Sequence, residues 1–147
     1  MKRMQPVTIL LVEDDDAHAT LIERNLRRAG VVNPLVRLLN GREALDFLFN
    51  KGRFANHPRP QPLLMLLDLN MPEVDGFQVI KEMKKDEECK IIPIVVLTTT
   101  NAPHEVQRCY ELGCNNFITK PVDPLTFSKT IQTMGILINI MSYPHCP

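Results

Sequence analysis

Five short hydrophobic runs, separated by stretches with apolar residues at helical spacing, dominate the pattern of the chain. Three of the runs, VTILLV, LLMLL and IIPIVVL, are almost continuously apolar. Continuous apolar runs are typical of parallel strands that helices cover on both faces. The predicted strands are Val7–Val12, Leu35–Leu39, Leu63–Leu67, Ile92–Leu97 and Asn116–Thr119.

The segments between the runs carry the apolar stripes of amphipathic helices. The stripes are His18, Leu21, Ile22, Asn25, Leu26 and Ala29; then Ala44, Leu45, Leu48 and Phe49; then Phe77, Ile80, Met83 and Lys84; then Val106, Cys109, Tyr110 and Gly113. A fifth helix is predicted to begin near Asp123–Pro124, where aspartate suits the cap and proline the first helical position. Strand and helix repeated five times predict an α/β fold with a doubly wound parallel sheet. The expected strand order is the flavodoxin-like 2-1-3-4-5.

One connection, residues 49–62, is long, polar and rich in proline. Loops of this length are usually functional or mobile. The alternative is an ordered surface excursion with no binding partner, and the sequence leaves both open.

Composition narrows the function. The chain has 147 residues, 44% of them hydrophobic and 23% charged, and its formal net charge is zero. A neutral chain is not expected to bind nucleic acid or an anionic membrane through bulk electrostatics. No stretch reaches the about 20 apolar residues of a membrane span, so we expect a cytoplasmic protein. Its four cysteines form no C-x-x-C pair, which predicts reduced thiols; Cys89 and Cys146 are expected at the surface.

Polar residues gather where the predicted strands end. The first strand is followed by Glu13-Asp14-Asp15-Asp16, and the third by Asp68-Leu69-Asn70. The fourth ends in Thr98-Thr99-Thr100, and the fifth in Thr119-Lys120-Pro121. Ligands of such folds bind beyond the carboxyl ends of the strands, so we expect these side chains to meet at one edge.

This residue set is suited to phosphoryl chemistry. The carboxylates of Glu13, Asp14 and Asp68, with the backbone carbonyl of Asn70, match the oxygen ligands that Mg²⁺ prefers. A nucleophilic carboxylate can form an acyl phosphate when the incoming charge is neutralised. Lys120 and Mg²⁺ would neutralise it, and the Thr98 hydroxyl could bind a phosphoryl oxygen.

Each residue taken alone has a simpler explanation. An acidic run after a strand is often a helix cap, as expected for Asp15 or Asp16. Thr98 could simply end a strand, and a lone Lys120 would usually be a solvated surface side chain. Their occurrence together, each at its own strand end, favours the functional interpretation.

With these residues at its strand ends, the chain resembles the response-regulator receiver family of two-component signalling. The matching motifs are LLVEDD at 10–15, LLDLNMPEVDG at 66–76, VVLTTT at 95–100 and FITKP at 117–121. The resemblance covers about Val7 to Met134, which predicts one receiver domain over 1–147 with a core of about 7–134. Residues 135–147 are interpreted as an extension of the last helix and a tail.

The resemblance assigns a role to each position. Asp68 resembles the phospho-acceptor, Glu13, Asp14 and the Asn70 carbonyl the Mg²⁺ site, and Thr98 and Lys120 the hydroxyl and lysine of the family. It further implies a cis peptide bond before Pro121, and a switch in which the Thr98 hydroxyl moves and the aromatic Phe117 turns inward. Such a protein is no enzyme beyond its own phosphorylation and dephosphorylation.

The implied partner is a sensor histidine kinase or a phosphotransfer protein. The 49–62 loop with the LLDLNMP and VVLTTT motifs is similar to the phytochrome-partner subgroup, whose members pair with light-sensing kinases and form dimers. In the last helical region, Ile136 and Ile140 fall outside the apolar stripe, which favours a homodimer. A tail folded back over the domain is the alternative.

Two rival functions remain. A haloacid-dehalogenase-type phosphatase carries its D-x-D motif on the first strand, whereas here the nucleophile is on the third and Asn70 stands in the acid/base position. The other rival is a phosphorylation-independent pseudo-receiver acting as a dimeric interaction module. Such proteins usually lose an acid, the hydroxyl or the lysine, and this chain keeps them all.

Overall fold

Five parallel strands form one sheet at the centre of the fold. The computed structural model describes residues 6–69, 71, 74–98, 103–120, 123, 125–126 and 129. The strands are β1 Thr8–Val12, β2 Leu35–Leu38, β3 Leu63–Asp68, β4 Ile94–Thr98 and β5 Asn116–Thr119. Their order is β2-β1-β3-β4-β5, so the predicted fold class and strand order are confirmed.

Four helices with bounds in the described residues connect the strands: α1 Asp16–Arg28, α2 Gly41–Leu48, α3 Gly76–Lys84 and α4 Pro103–Leu112. Local side chains begin three of them, because Asp15, Asn40 and Asp75 each accept the backbone N–H three residues on. Such a cap satisfies one of the orphan donors of the first helical turn. At the predicted start of the fifth helix, Asp123 likewise accepts the N–H of Thr126 at 2.8 Å.

Helices cover both faces of the sheet. On β1, Leu10 and Val12 belong to one buried cluster, with α2 and α3, whereas Ile9 and Leu11 belong to a second, with α1. Successive side chains of a strand point to opposite faces, so continuously apolar strands need both covers. Burial of each large aliphatic side chain contributes about 1.5–3 kcal/mol, and this core holds the strand ends in register.

Four of the five predicted strands differ from the structure at one or both ends. β1 begins at Thr8 and β2 ends at Leu38, one residue short of the prediction at each. β3 extends to Asp68, while β4 runs from Ile94 to Thr98 instead of beginning at Ile92. The later start has a local cause, because a 3₁₀ turn at Cys89–Ile91 and Pro93, which has no N–H, precede it.

The buried face of α1 matches the predicted stripe at Ile22, Asn25 and Leu26 and differs from it elsewhere. His18 and Leu21 are exposed, and the small Ala19 is buried with Ile22 and Leu26. Ala19, Ile22 and Leu26 follow the i, i+3, i+7 spacing of one helix face. The larger Leu21 lies beside this buried face and not on it. Smaller differences occur elsewhere: Phe47 and Val79 are buried, and Tyr110 is exposed.

Cys89 is buried, which corrects the expected surface position. Its N–H donates to the carboxylate of Asp86 at 2.8 Å, and its side chain belongs to the buried cluster that α2 and α3 cover. Cys109 and Cys114 are buried free thiols as well.

The 49–62 loop is ordered against the domain. Its Phe54 packs edge-to-face on Phe47 of α2, with ring centroids 5.3 Å apart. The buried guanidinium of Arg59 donates to the Leu48 carbonyl at 2.5 Å and to the Glu88 carboxylate at 2.7 Å. The loop is therefore tied both to the end of α2 and to the segment before β4.

Neither the proposed dimer surface nor the tail falls in the described part of the chain. Residues 135–147, Ile136 and Ile140 included, lie outside it. Among the described helices, none is both long and apolar enough to span a bilayer.

Candidate functional site

Strand register brings the predicted site residues to one edge of the sheet. Val12 pairs with Leu67, so Glu13 follows β1 level with Asp68 at the end of β3. Thr98 at the end of β4 pairs with Thr119 at the end of β5, and Lys120 directly follows Thr119. The Lys120 N–H also donates to the Thr98 carbonyl at 2.8 Å, which fixes the start of the loop after β5.

Three carboxylates form the centre of the site. Oxygens of Glu13, Asp14 and Asp68 all lie within 4.8 Å of one another. Glu13 and Asp68 are buried, whereas Asp14 is exposed at the rim. Burial raises the pKa of the Glu13 carboxyl, and the neighbouring Asp68 raises it further, while Lys120 opposes both effects. Crowded acids of this kind repel one another unless a cation lies among them or some of them stay protonated.

Lys120 supplies one positive charge. Its Nζ atom lies 2.5 Å from Oε1 of Glu13 and 3.3 Å from Oδ2 of Asp68, and its side chain is 9% exposed. When ionised, three carboxylates and one ammonium leave an excess of two negative charges. An oxygen-only donor set with that excess fits a hard divalent cation such as Mg²⁺.

Two further predicted residues lie on the neighbouring strands β4 and β5. Thr98 is 2% exposed at the end of β4, the strand paired with β3. Phe117 of β5 is half-buried and packs edge-to-face on Tyr110 of α4, with ring centroids 6.2 Å apart. The predicted carbonyl ligand Asn70 and the predicted cis residue Pro121 lie outside the described residues.

Gly76 shapes the backbone beside Asp68. A Cβ atom at this position would lie 2.8 Å from the Asp68 carbonyl oxygen and 2.8 Å from Cα of Leu69. Real Cβ atoms do not approach backbone atoms so closely. Only a glycine at position 76 therefore allows α3 to begin this near to the end of β3.

Sequence reasoning missed Arg37, which contacts the site from β2. Its Nε and Nη2 atoms donate to the Glu13 carbonyl at 3.2 and 2.9 Å, and Nη1 donates to Asp16 at 2.6 Å. A charged side chain inside the short apolar run LVRL was the available signal. His18 was placed on the buried stripe, yet its Nδ1 atom lies 3.9 Å from the Glu13 carboxylate.

Comparison with known proteins agrees with this architecture. The family model for the response regulator receiver domain matches residues 9–132. Response regulator Rcp1 of Synechocystis sp. is 39% identical over 127 residues, which cover 86% of this chain and 85% of Rcp1.

Solved structures agree as well. The Mn²⁺-bound form of Rcp1 aligns with a TM-score of 0.74 and 35% identity over 95% of this chain and 100% of that one. The bacteriophytochrome response regulator AtBRR aligns with a TM-score of 0.80 and 37% identity, covering 89% of this chain and 94% of AtBRR. The phosphorylated cyanobacterial phytochrome response regulator RcpA aligns with a TM-score of 0.71 and 37% identity, covering 88% of this chain and 89% of RcpA. The chain belongs to the response regulator receiver domain family.

Proposed function

We propose that this chain is a single-domain response regulator that takes a phosphoryl group on Asp68, with Mg²⁺ bound, and signals through protein contacts. The observation that carries the proposal is the meeting of Glu13, Asp14, Asp68 and Lys120 at one sheet edge. In this proposal residues 1–147 form one receiver domain, with a core of about 7–134 and a C-terminal extension at 135–147.

Asp68 is the proposed nucleophile. One of its carboxylate oxygens attacks the phosphorus of a phosphohistidine, so that a P–O bond forms while the P–N bond breaks. The histidine nitrogen leaves with the electron pair of the broken bond, and the product is an acyl phosphate on Asp68. Because phosphoryl transfer depends mainly on positioning and electrostatics, no separate general base is required.

Lys120 and Thr98 stabilise the transferred group in this proposal. The ammonium that already contacts the Asp68 carboxylate would neutralise a phosphoryl oxygen. The Thr98 hydroxyl, at the end of the neighbouring strand, would donate to another oxygen. With Phe117 beside α4, movement of Thr98 would carry the phosphorylation state to the surface formed by α4 and β5.

Glu13, Asp14 and Asp68 would hold Mg²⁺, with the Asn70 carbonyl as a further ligand. When bound, the cation neutralises charge that develops on the phosphoryl oxygens. The oxygen-only donor set supports this assignment, as does the Mn²⁺ bound to the related Rcp1.

The proposed phosphoryl donor is a sensor histidine kinase of the phytochrome type, directly or through a phosphotransfer protein. The relatives AtBRR and RcpA, which are response regulators of phytochromes, support this choice. We further propose a cytoplasmic homodimer formed through the C-terminal helix region, acting without nucleic acid or membrane. Its only chemistry would be its own phosphorylation and dephosphorylation.

Phosphoryl uptake from acetyl phosphate tests the proposal. Intact-mass spectrometry should find a single added phosphoryl group when Mg²⁺ is present and none after chelation. Asp68→Asn should abolish the addition, whereas Asp46→Asn, an aspartate on α2 away from the site, should leave it unchanged. An unlabelled wild-type chain under both conditions would favour the pseudo-receiver.

A further inference from the structure

Arg37 joins the two ends of the loop between β1 and α1. Its guanidinium donates twice to the carbonyl of Glu13 and once to the carboxylate of Asp16, the first residue of α1. The arginine itself belongs to β2, which pairs with β1 in the sheet. A planar fork with donors on several atoms can hold two acceptors in a fixed relation, which a lysine cannot do.

The held loop contains Asp14, one of the three clustered acids. Within the described residues, no hydrogen bond or ion pair holds the Asp14 carboxylate, which is exposed. Its position therefore depends on the backbone at its two sides. Arg37 holds the Glu13 carbonyl on one side, and Asp15 caps α1 through the His18 N–H on the other.

We infer that Arg37 is a positioning residue for divalent cation binding, because it holds the loop that presents Asp14 beside Glu13 and Asp68. This inference rests on the metal site of the proposed function. The described contacts of the guanidinium are with a carbonyl oxygen and Asp16, while Lys120 contacts the clustered carboxylates. Arg37 thus holds the loop in place without bonding to the side-chain carboxylate oxygens of Glu13, Asp14 and Asp68. Its ion pair with Asp16 offsets the positive charge of the guanidinium.

The chain offers a matched control in Arg27. Its Nη1 atom also donates to two backbone carbonyls, those of Val31 at 3.1 Å and Asn33 at 2.9 Å, and its Nη2 atom lies 3.6 Å from Glu23. Both carbonyls belong to residues that precede β2, so they lie at the opposite edge of the sheet from the three acids. Loss of Arg27 should therefore affect stability without affecting the cation.

The experiment is isothermal titration of the full chain with Mg²⁺, together with the melting temperature in the absence of metal. Arg37→Met should weaken Mg²⁺ binding about tenfold, which is the lower end of the loss in affinity seen when a group that orients metal ligands is removed. Arg37→Lys, which keeps the charge but not the fork, should fall between Arg37→Met and wild type. Arg27→Met should lower the melting temperature and leave the Mg²⁺ affinity at the wild-type value.

Two results would overturn the inference while leaving the metal site intact. Unchanged Mg²⁺ affinity in Arg37→Met would make the residue purely structural. Equal weakening in Arg37→Met and Arg27→Met would show a general effect of lost stability. If the wild-type chain itself bound no Mg²⁺, the metal site of the proposed function would be refuted and the positioning role with it.

Discussion

Lys120 and Glu13 stand 107 residues apart in the chain, yet Nζ of Lys120 lies 2.5 Å from Oε1 of Glu13. The strands that precede them, β5 and β1, are not neighbours, since β3 and β4 lie between them in the sheet. Lys120 therefore reaches across the carboxyl edge and on its way contacts Asp68 of β3. This contact ties the two outer parts of the site together before any cation binds.

Replacing Lys120 should separate cation binding from phosphoryl transfer. In Lys120→Met, Mg²⁺ should bind more tightly, because no ammonium competes for the Glu13 and Asp68 oxygens, while the rate of phosphoryl uptake should fall. Breaking a buried pair costs about 3–5 kcal/mol, so the metal-free variant should also unfold at lower urea concentration. The exposed Lys81→Met serves as control. Weaker Mg²⁺ binding in Lys120→Met would contradict this view of the site.

Gly76→Ala should destabilise the fold beside the phospho-acceptor. The added methyl group would lie 2.8 Å from backbone atoms of Asp68 and Leu69, which cannot give way as a flexible side chain could. Overpacking of this kind typically costs about 1–3 kcal/mol. Urea denaturation measures the loss, with Gln78→Ala on the exposed face of α3 as the comparison. Equal stability of the two variants would show that the backbone relaxes freely.

The buried thiols should resist alkylation in the folded protein. Burial is the main cause that raises the pKa of Cys89 to about 11 and that of Cys114 to about 12. Iodoacetamide, followed by peptide mass spectrometry, should modify both residues only after denaturation. Rapid modification of Cys89 in the native chain would place it at the surface.

The same thiols should make the fold sensitive to alkali. The ordinary thiol pKa is 9.0, so between 9.0 and about 11 the unfolded chain loses the Cys89 proton that the folded chain retains. The contribution to stability is complete below the lower value and is lost as the pH rises through the higher one. Replacing Cys89 with alanine should flatten the fall in urea midpoint over this range. An unchanged pH dependence in Cys89→Ala would assign the alkaline loss to other groups.

Arg59→Met should open the 49–62 loop. The substitution removes the hydrogen bonds to Leu48 and Glu88, which hold the loop to α2 and to the segment before β4. Chymotrypsin should then cleave faster after Phe54, because cleavage requires local opening. Arg53→Met is the control, since that side chain is 64% exposed and contacts Glu43 and the Phe54 ring. Faster cleavage in the control alone would assign the anchoring to Arg53.

The sheet could be predicted because its three central strands, β1, β3 and β4, are almost continuously apolar, a pattern that is visible in the local sequence alone. The site could be predicted for a related reason: Asp68 and Lys120 directly end or follow strands, and parallel strands end at one edge. The contacts of Arg37 could not be predicted, because Glu13 and Asp16 follow β1, more than twenty residues earlier in the chain, and only the β1–β2 register brings them to Arg37. The predicted stripe of α1 was right at Ile22, Asn25 and Leu26 and wrong at its edge, where packing buried the small Ala19 although hydrophobicity alone favours Leu21.

The most direct test of the account is to locate the phosphoryl group chemically. After reaction with acetyl phosphate and Mg²⁺, borohydride reduces an acyl phosphate of aspartate to homoserine, and peptide mass spectrometry then identifies the modified position. The account predicts homoserine at position 68 alone, and none when Mg²⁺ is chelated. Homoserine at Asp14 or Asp15, or none anywhere in a folded, Mg²⁺-loaded chain, would contradict it.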